Sequence, residues 1–389
     1  MEKREFTTIA EKNRVVTNIM NEVFKADAFL LLGHQDPDTD CIASLASCAL
    51  LLRKLQKEAV IYLPGPVGEQ FNYLLAICRY NGIAVRYGDD PVSAGIEALV
   101  ILDTPKPAMI AVNSAGFALL ENPAIRKIEI DHHLQADAAY GGDRDLSLVS
   151  EASSTCELIG YLCFKIAKQK GLAEQEFFPR NIALALLTGI VGDSHMGKYL
   201  KSHKERRFYQ IFSAMFDKIL LEQTHKDSTN LASMEAIFDA IQRFSVREKR
   251  CFDHILSQKQ EAAPLFFIAL NAVGSEELFN QYEKELIVNV FKAAADTLAE
   301  EHGRLGLVSY YDPPGMSDFI QFRLRRGFRY KSLDLRKVLE RLNISNGGGH
   351  PGAVGFRIRK LDVRDLDAYI QQLITHIGAM EGSGGTRPL

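Results

Sequence analysis

Ala28-Phe-Leu-Leu-Leu-Gly33-His34-Gln-Asp36-Pro-Asp38-Thr-Asp40 is an aliphatic run that stops at one imidazole and three carboxylates. The run reads as a strand, and in open α/β sheets ligands bind at the carboxyl end of the strands. Like charges a few ångströms apart repel, so such a cluster is costly unless a cation neutralises it. A competing reading makes these residues turn and N-cap groups for a helix beginning near Asp40, a role that aspartate fills well.

Working outward, two further apolar runs end the same way. Val100-Ile-Leu-Asp103 and Ile128-Glu-Ile-Asp131-His132-His133 each place an acid directly after aliphatic residues, and the helical stretch Ala183 to Gly192 is followed by Asp193. If the strands are parallel, these termini open on one edge and their side chains converge. Mixed histidine and aspartate ligands suit Mn²⁺ or another borderline-hard ion better than a thiolate-seeking metal.

The chain has 389 residues, 47% hydrophobic and 24% charged, which suits a globular protein of two domains. Strands are expected at Ala28 to Gly33, Ala59 to Leu63, Ala98 to Asp103 and Lys127 to Asp131. Helices are expected at Asp40 to Gln56, Gly68 to Asn81, Ser154 to Gln169 and Pro179 to Gly192. This alternation predicts an α/β fold with a mainly parallel sheet covered by helices. The expected organisation is a catalytic domain over 1–207, a helical connection over 208–260, a smaller α/β domain over 261–380 and a flexible Gly-rich tail over 381–389. In the second domain the pattern predicts strands at Pro264 to Ala272, Leu305 to Tyr311, Asp318 to Arg325 and Ala353 to Ile358. Helices are expected there at Ser275 to Glu301, Lys331 to Leu342 and Asp362 to Ile377.

Six cysteines without a C-x-x-C pair argue against a thiolate metal site or a disulfide framework. A net charge of −3 argues against a large footprint on long nucleic acid. No apolar stretch approaches the roughly 20 residues of a membrane span, and the N-terminus lacks the apolar core of a signal peptide. A cytoplasmic location is the expectation.

His34-x-x-x-Asp38-x-Asp40, Asp103-Thr104, Asp131-His132-His133 and Asp193 resemble, in order and spacing, the four motifs of DHH phosphoesterases. Asn346-Gly-Gly-Gly-His350-Pro-Gly-Ala353 resembles the GGGH motif of the DHHA1 domain. The resemblance spans roughly residues 28 to 360. It implies two Mn²⁺ ions, with Mg²⁺ or Co²⁺ as substitutes: His34 and Asp38 on one, Asp40, His132 and Asp193 on the other, and Asp103 between them. Paired ions of this kind lower the pKa of a water and clamp phosphoryl oxygens during in-line displacement. The resemblance also gives His133 a hydrogen bond to the substrate phosphate and Asp131 the orientation of a neighbouring histidine. Asp36 has no place in the pattern and reads as a turn cap beside Pro37. Ser153-Ser-Thr-Cys-Glu157 looks like a family segment whose Ser154 and Glu157 suit a capping box.

In the second domain, Ile320, Phe322 and Leu324 alternate with Gln321, Arg323 and Arg325, so the two arginines share one strand face. A solvated edge strand is the plain explanation. The DHHA1 resemblance instead implies Arg325, Gly348, Gly349 and His350 as substrate-phosphate ligands, with the active site in a cleft between the domains. Two features depart from nanoRNase-like members: Arg323 stands where a small residue is usual, and His195-Met-Gly-Lys198 replaces a shorter Thr-Gly-aromatic pattern. A basic run at Lys198, Lys201, Lys204, Arg206 and Arg207 reads as a solvated helix face.

The expected activity is metal-dependent hydrolysis of dinucleotides and short oligoribonucleotides, with 3'-phosphoadenosine 5'-phosphate (pAp) as a further substrate. Cleavage of cyclic dinucleotides such as cyclic di-AMP is the rival within the family. A RecJ-like exonuclease would need a further nucleic-acid-binding domain, and family II pyrophosphatases lack a GGGH loop. A non-catalytic nucleotide-binding protein is the alternative of another class. Relatives suggest a homodimer, and no membrane partner is expected.

Overall fold

The computed structural model describes residues 2–92, 95–134, 137–171, 177–200, 202–225 and 230–382. The chain divides into two compact units, Met1–Arg243 and Phe244–Leu389.

In the first unit the elements run α1 (Ile9–Lys25), β1 (Ala28–Leu32), α2 (Thr39–Lys54), β2 (Glu58–Leu63), α3 (Asn72–Tyr80), β3 (Ala84–Tyr87), β4 (Ala98–Leu102), α4 (Ser114–Glu121), β5 (Arg126–Asp131), β6 (Ser147–Val149), α5 (Thr155–Lys170), α6 (Arg180–Ser194), α7 (His203–Gln223) and α8 (Met234–Ile241). The sheet order is β3-β2-β1-β4-β5-β6 and every pairing is parallel. Strand order therefore reverses between β1 and β4, the switch point at which such sheets bind ligands. Phe29 to Leu32 of β1 are fully buried because both faces of a parallel sheet are covered. Phe29 and Leu31 join the larger apolar layer with α1, α2, α5 and α6, while Leu30 and Leu32 join a smaller layer on the opposite face. Helix α2 is buried from Asp40 to Leu52, the state of a helix apolar on all sides.

The second unit begins with α9 (Val246–Leu256), followed by β7 (Gln260–Ala262), β8 (Leu265–Ala269), α10 (Ala272–Gln281), α11 (Lys284–His302), β9 (Leu305–Tyr311), β10 (Phe319–Arg326), α12 (Arg336–Arg341), β11 (Gly347–His350), β12 (Ala353–Arg359) and α13 (Leu366–Gly382). Its sheet order is β11-β12-β10-β9-β8-β7, with β8 and β9 parallel and the other pairs antiparallel. One face packs on α12 and α13, the other on α9 to α11.

Several expectations change here. The 208–260 segment is shared between the two cores: Phe212, Phe216, Leu220 and Ile237 pack in the first unit, Cys251, Phe252 and Ile255 in the second. Amphipathic helices bury their apolar stripe wherever a core is adjacent. The single helix expected over Ser275 to Glu301 is two, and the helix expected from Lys331 shrinks to Arg336–Arg341. Strand β10 is not an edge: it lies between β12 and β9, so a solvated edge does not explain its arginines. The triple glycine is itself an edge strand rather than a turn. Residues 383–389 of the Gly-rich tail, and Lys201 of the basic run, lie outside the described residues. Among the described residues, no helix is long and apolar enough to cross a membrane.

Candidate metal centre

Loops after β1, β4 and β5 bring most of the motif side chains together. Gly33 permits the first of these turns, since a Cβ there would stand 2.3 Å from Cys41 Sγ. The chain then crosses towards the segment after β4, where Gln35 N–H donates to Met109 O at 2.8 Å. His34 is buried, with Nε2 3.8 Å from Asp38 Oδ1 and 3.9 Å from Asp103 Oδ2. Asp38 is also the N-cap of α2, its Oδ1 accepting from the backbone of Asp40 and Cys41. Capping and ligation thus draw on the same residue, and the two readings of Asp38 are compatible. Asp36 is exposed.

Asp103 occupies the centre. Its φ of 49° lies in the left-handed region, which is strained for a residue with a Cβ. The carboxylate is held there by Thr155, whose hydroxyl donates to Oδ1 at 2.9 Å. On its other side His132 Nε2 lies 3.6 Å from Asp103 Oδ1, 3.6 Å from Asp193 Oδ2 and 3.9 Å from Asp40 Oδ2. His132 Nδ1 faces the Ala152 carbonyl at 3.2 Å, an arrangement that leaves Nε2 as the lone-pair nitrogen. Asp40 accepts from the N-terminal amides of α5, Thr155 N–H at 2.6 Å and Cys156 N–H at 3.2 Å.

Burial pushes the Asp40 carboxyl up to about 6, and burial together with Asp40, Asp38, Asp131 and Asp193 pushes Asp103 well above the usual range. Too little positive charge faces these acids, and a divalent cation is the economical counter-charge. Ligands held about 2.1 Å from an ion stand about 3 to 4 Å apart, the range seen here. The donor set of Asp40, His132 and Asp193 therefore fits a cation; on the other side His34 Nε2 lies within 4 Å of one oxygen each of Asp38 and Asp103, with Cys41 Sγ beside them.

Asp131 is the exception among the acids. Burial alone would raise it, but the His133 imidazole and the Lys3 ammonium outweigh that and hold the carboxyl well below its usual range. Its Oδ1 lies 2.7 Å from His133 Nδ1, and its Oδ2 2.5 Å from Lys3 Nζ. Lys3 also reaches Glu129 Oε1 at 2.9 Å and the Thr104 carbonyl at 2.7 Å, with no side-chain exposure.

Sequence reasoning missed Lys3, because a lone lysine carries no pattern. It also missed the amides of Thr155 and Cys156. Ser154 does cap α5, but the Glu157 carboxylate turns to Ser153 N–H and Oγ rather than back to the cap residue, so the capping box is incomplete. Cys41 Sγ comes within 4.8 Å of donor atoms on His34 and Asp103, closer to the centre than a cysteine read as a plain hydrophobe suggests. His195 packs by its ring against Tyr199 and Phe238. In the basic run, Lys204 lies 3.5 Å from Glu5 and 3.3 Å from Ser150 Oγ.

The remaining expected site residues lie in the second unit. Arg325 and His350 are both register partners of Ala353, one from each side of β12. Side chains in one cross-strand row share a face. Arg325 is buried and its Nε lies 3.0 Å from Asp296 Oδ1. Gly349 has a φ of 137°, and a Cβ there would stand 2.3 Å from the Ala353 carbonyl, so the strand requires glycine. Gly348 has open space where a side chain would be.

A doubly wound sheet that gathers acids and imidazoles at its switch point defines an α/β protein whose clustered donors could hold a divalent cation. Residues 28–190 match the DHH family, N-terminal domain. Members of that family are metal-dependent phosphoesterase hydrolases. An exopolyphosphatase-related protein from Bacteroides fragilis shares the fold at 16% identity with a TM-score of 0.61, covering 93% of this chain and 96% of that one. RecJ from Thermus thermophilus in complex with Mn²⁺ aligns at 13% identity and a TM-score of 0.46, over 99% of this chain and 56% of that one. A pGpG-specific phosphodiesterase from Vibrio cholerae aligns at 14% identity and a TM-score of 0.36, over 90% and 99% respectively. No curated protein matches the sequence.

Proposed function

We propose that the protein is a Mn²⁺-dependent phosphoesterase of dinucleotides and oligoribonucleotides a few residues long, with pAp as a further substrate. The observation that carries this reading is the position of Asp103, whose two carboxylate oxygens face His34 on one side and His132 on the other. One ion would be held by His34, Asp38 and Asp103, a second by Asp40, His132, Asp193 and Asp103. Bound there, the pair would supply a water of lowered pKa and neutralise charge on the phosphoryl oxygens.

The chain's own groups do the rest. Asp131 and the Ala152 carbonyl fix the two imidazoles, so that His133 keeps Nε2 for a hydrogen bond to the scissile phosphate. In the second unit, Arg325, Gly348, Gly349 and His350 take a non-reacting phosphate of the substrate.

The test is turnover by the purified protein with Mn²⁺ on pApA, pAp, five-residue RNA, cyclic di-AMP and pyrophosphate in parallel. Preference for the first three supports the reading. Dominant cleavage of cyclic di-AMP would move the protein to second-messenger turnover, and no turnover on any of them would overturn the reading and return the non-catalytic nucleotide-binding alternative to contention.

A further inference from the structure

On the face that β10 shares with Arg325, Arg323 lies two residues away and in register with Gly355, which in turn pairs with Gly348. The Arg323 side chain passes over Gly355: a Cβ there would meet Arg323 Nη1 at 2.7 Å. Beyond it, the Gly348 position is open. Two rows therefore run side by side across the three strands, Arg323-Gly355-Gly348 and Arg325-Ala353-His350.

Charge on this patch is out of balance. Asp296 answers Arg325 at 3.0 Å, while among the described residues no carboxylate comes within ion-pair distance of Arg323. Arg323 Nε is shut off from solvent without a hydrogen-bond partner, and Nη1 finds only the carbonyl of its own neighbour Phe322 at 3.3 Å. The nearest acid on the adjoining strand end, Asp312, accepts from Gln321 Nε2 at 2.8 Å and from the Ser317 hydroxyl. Arg357 shares the face but rests over the Phe319 ring at 4.9 Å. A desolvated guanidinium without an anion is costly, and its fork geometry matches a phosphate.

We infer that Arg323 completes a binding site for a terminal phosphate monoester, seated over Gly355 and Gly348 between the two rows. This rests on the proposed phosphoesterase reading and adds a preference: a dinucleotide with a 5'-phosphate binds better than the same dinucleotide with a free 5'-hydroxyl. The second guanidinium meets the second negative charge of the monoester, which a phosphodiester lacks.

The experiment compares the full chain with Arg323→Gln, using pApA and ApA as substrates with Mn²⁺ and 5'-AMP as a ligand in thermal melting without metal. Wild type should favour pApA over ApA through KM, and Arg323→Gln should raise KM for pApA about tenfold or more while ApA changes less than about twofold. 5'-AMP should raise the Tm of wild type and not that of Arg323→Gln, while adenosine should shift neither. The unliganded variant should melt no lower than wild type, because it loses an unpaired charge. Equal loss on both substrates, or unchanged preference, would overturn the inference. If wild type hydrolyses neither substrate, the phosphoesterase reading fails, and the 5'-AMP melting shift alone then decides for or against the phosphate site.

Discussion

His132 Nε2 lies 3.6 Å from Asp103 Oδ1, and the same carboxylate turns its other oxygen to His34 at 3.9 Å. A single acid thus faces both halves of the candidate centre. Asp103→Asn keeps the shape and tolerates the left-handed backbone, but it removes the negative charge of the carboxylate that faces both histidines. Hydrolysis should fall by more than about 100-fold, beyond what loss of a mere supporting group costs. Retained turnover at full metal occupancy, measured by calorimetry, would remove Asp103 from its bridging place.

Cation binding should be visible without any substrate. A ligand present at about 100 times its Kd stabilises the folded state by about 2.7 kcal/mol. Mn²⁺ should therefore raise the melting temperature of chelator-treated protein, and the rise should shrink in His132→Ala. An unchanged melting temperature across a Mn²⁺ titration would contradict the site.

The pH dependence of the metal-free protein has a definite sign. Asp40 is an acid whose folded pKa is raised from 3.8 to about 6, so the folded state holds its proton more tightly than the unfolded one. Its contribution is favourable below 3.8 and is lost as pH rises through about 6. Asp103 acts in the same direction. Asp131, held low, contributes in the opposite sense only at more acid pH. Urea midpoints of metal-free protein should decline from pH 4.5 to 6.5, and Asp40→Asn should flatten that decline.

Lys3 neutralises two buried carboxylates, Glu129 and Asp131. Removing one member of a buried charge cluster costs about 3 to 5 kcal/mol. Lys3→Met should lower the urea midpoint accordingly, and Asp131→Asn added to it should recover part of the loss. Additive losses in the double variant would show that the two groups do not interact.

For the second unit, Arg325→Ala and His350→Ala should raise KM and lower kcat on short substrates. Each charge-assisted hydrogen bond is worth about 1.5 to 3 kcal/mol, so kcat/KM should drop about 10- to 100-fold. Unchanged kinetics would show that these residues hold no phosphate.

Much of the centre was legible because the apolar runs of β1 and β4 and the Ile-Glu-Ile end of β5 each lead within two residues into His or Asp. That contrast marks both the strand and the edge on which its ligands emerge. Strands β3 and β6, and helices α1 and α4, were not read. All of β3 is half-buried, and β6 is only three residues long, too short for either periodicity to register. The glycines at 347 to 349 carry a turn signal, yet pairing with β12 makes them a strand. Lys3 pairs with partners far along the chain, a relationship that composition and spacing cannot express.

The candidate ligands follow β1, β4 and β5 and finish on α6, so no local fragment of the chain holds them all. A nascent chain emerging from the ribosome would carry His34, Asp38, Asp40 and Asp103 well before Asp193 leaves the exit tunnel. Metal capture at the second position would then report that translation has passed α6 and that the first unit has closed.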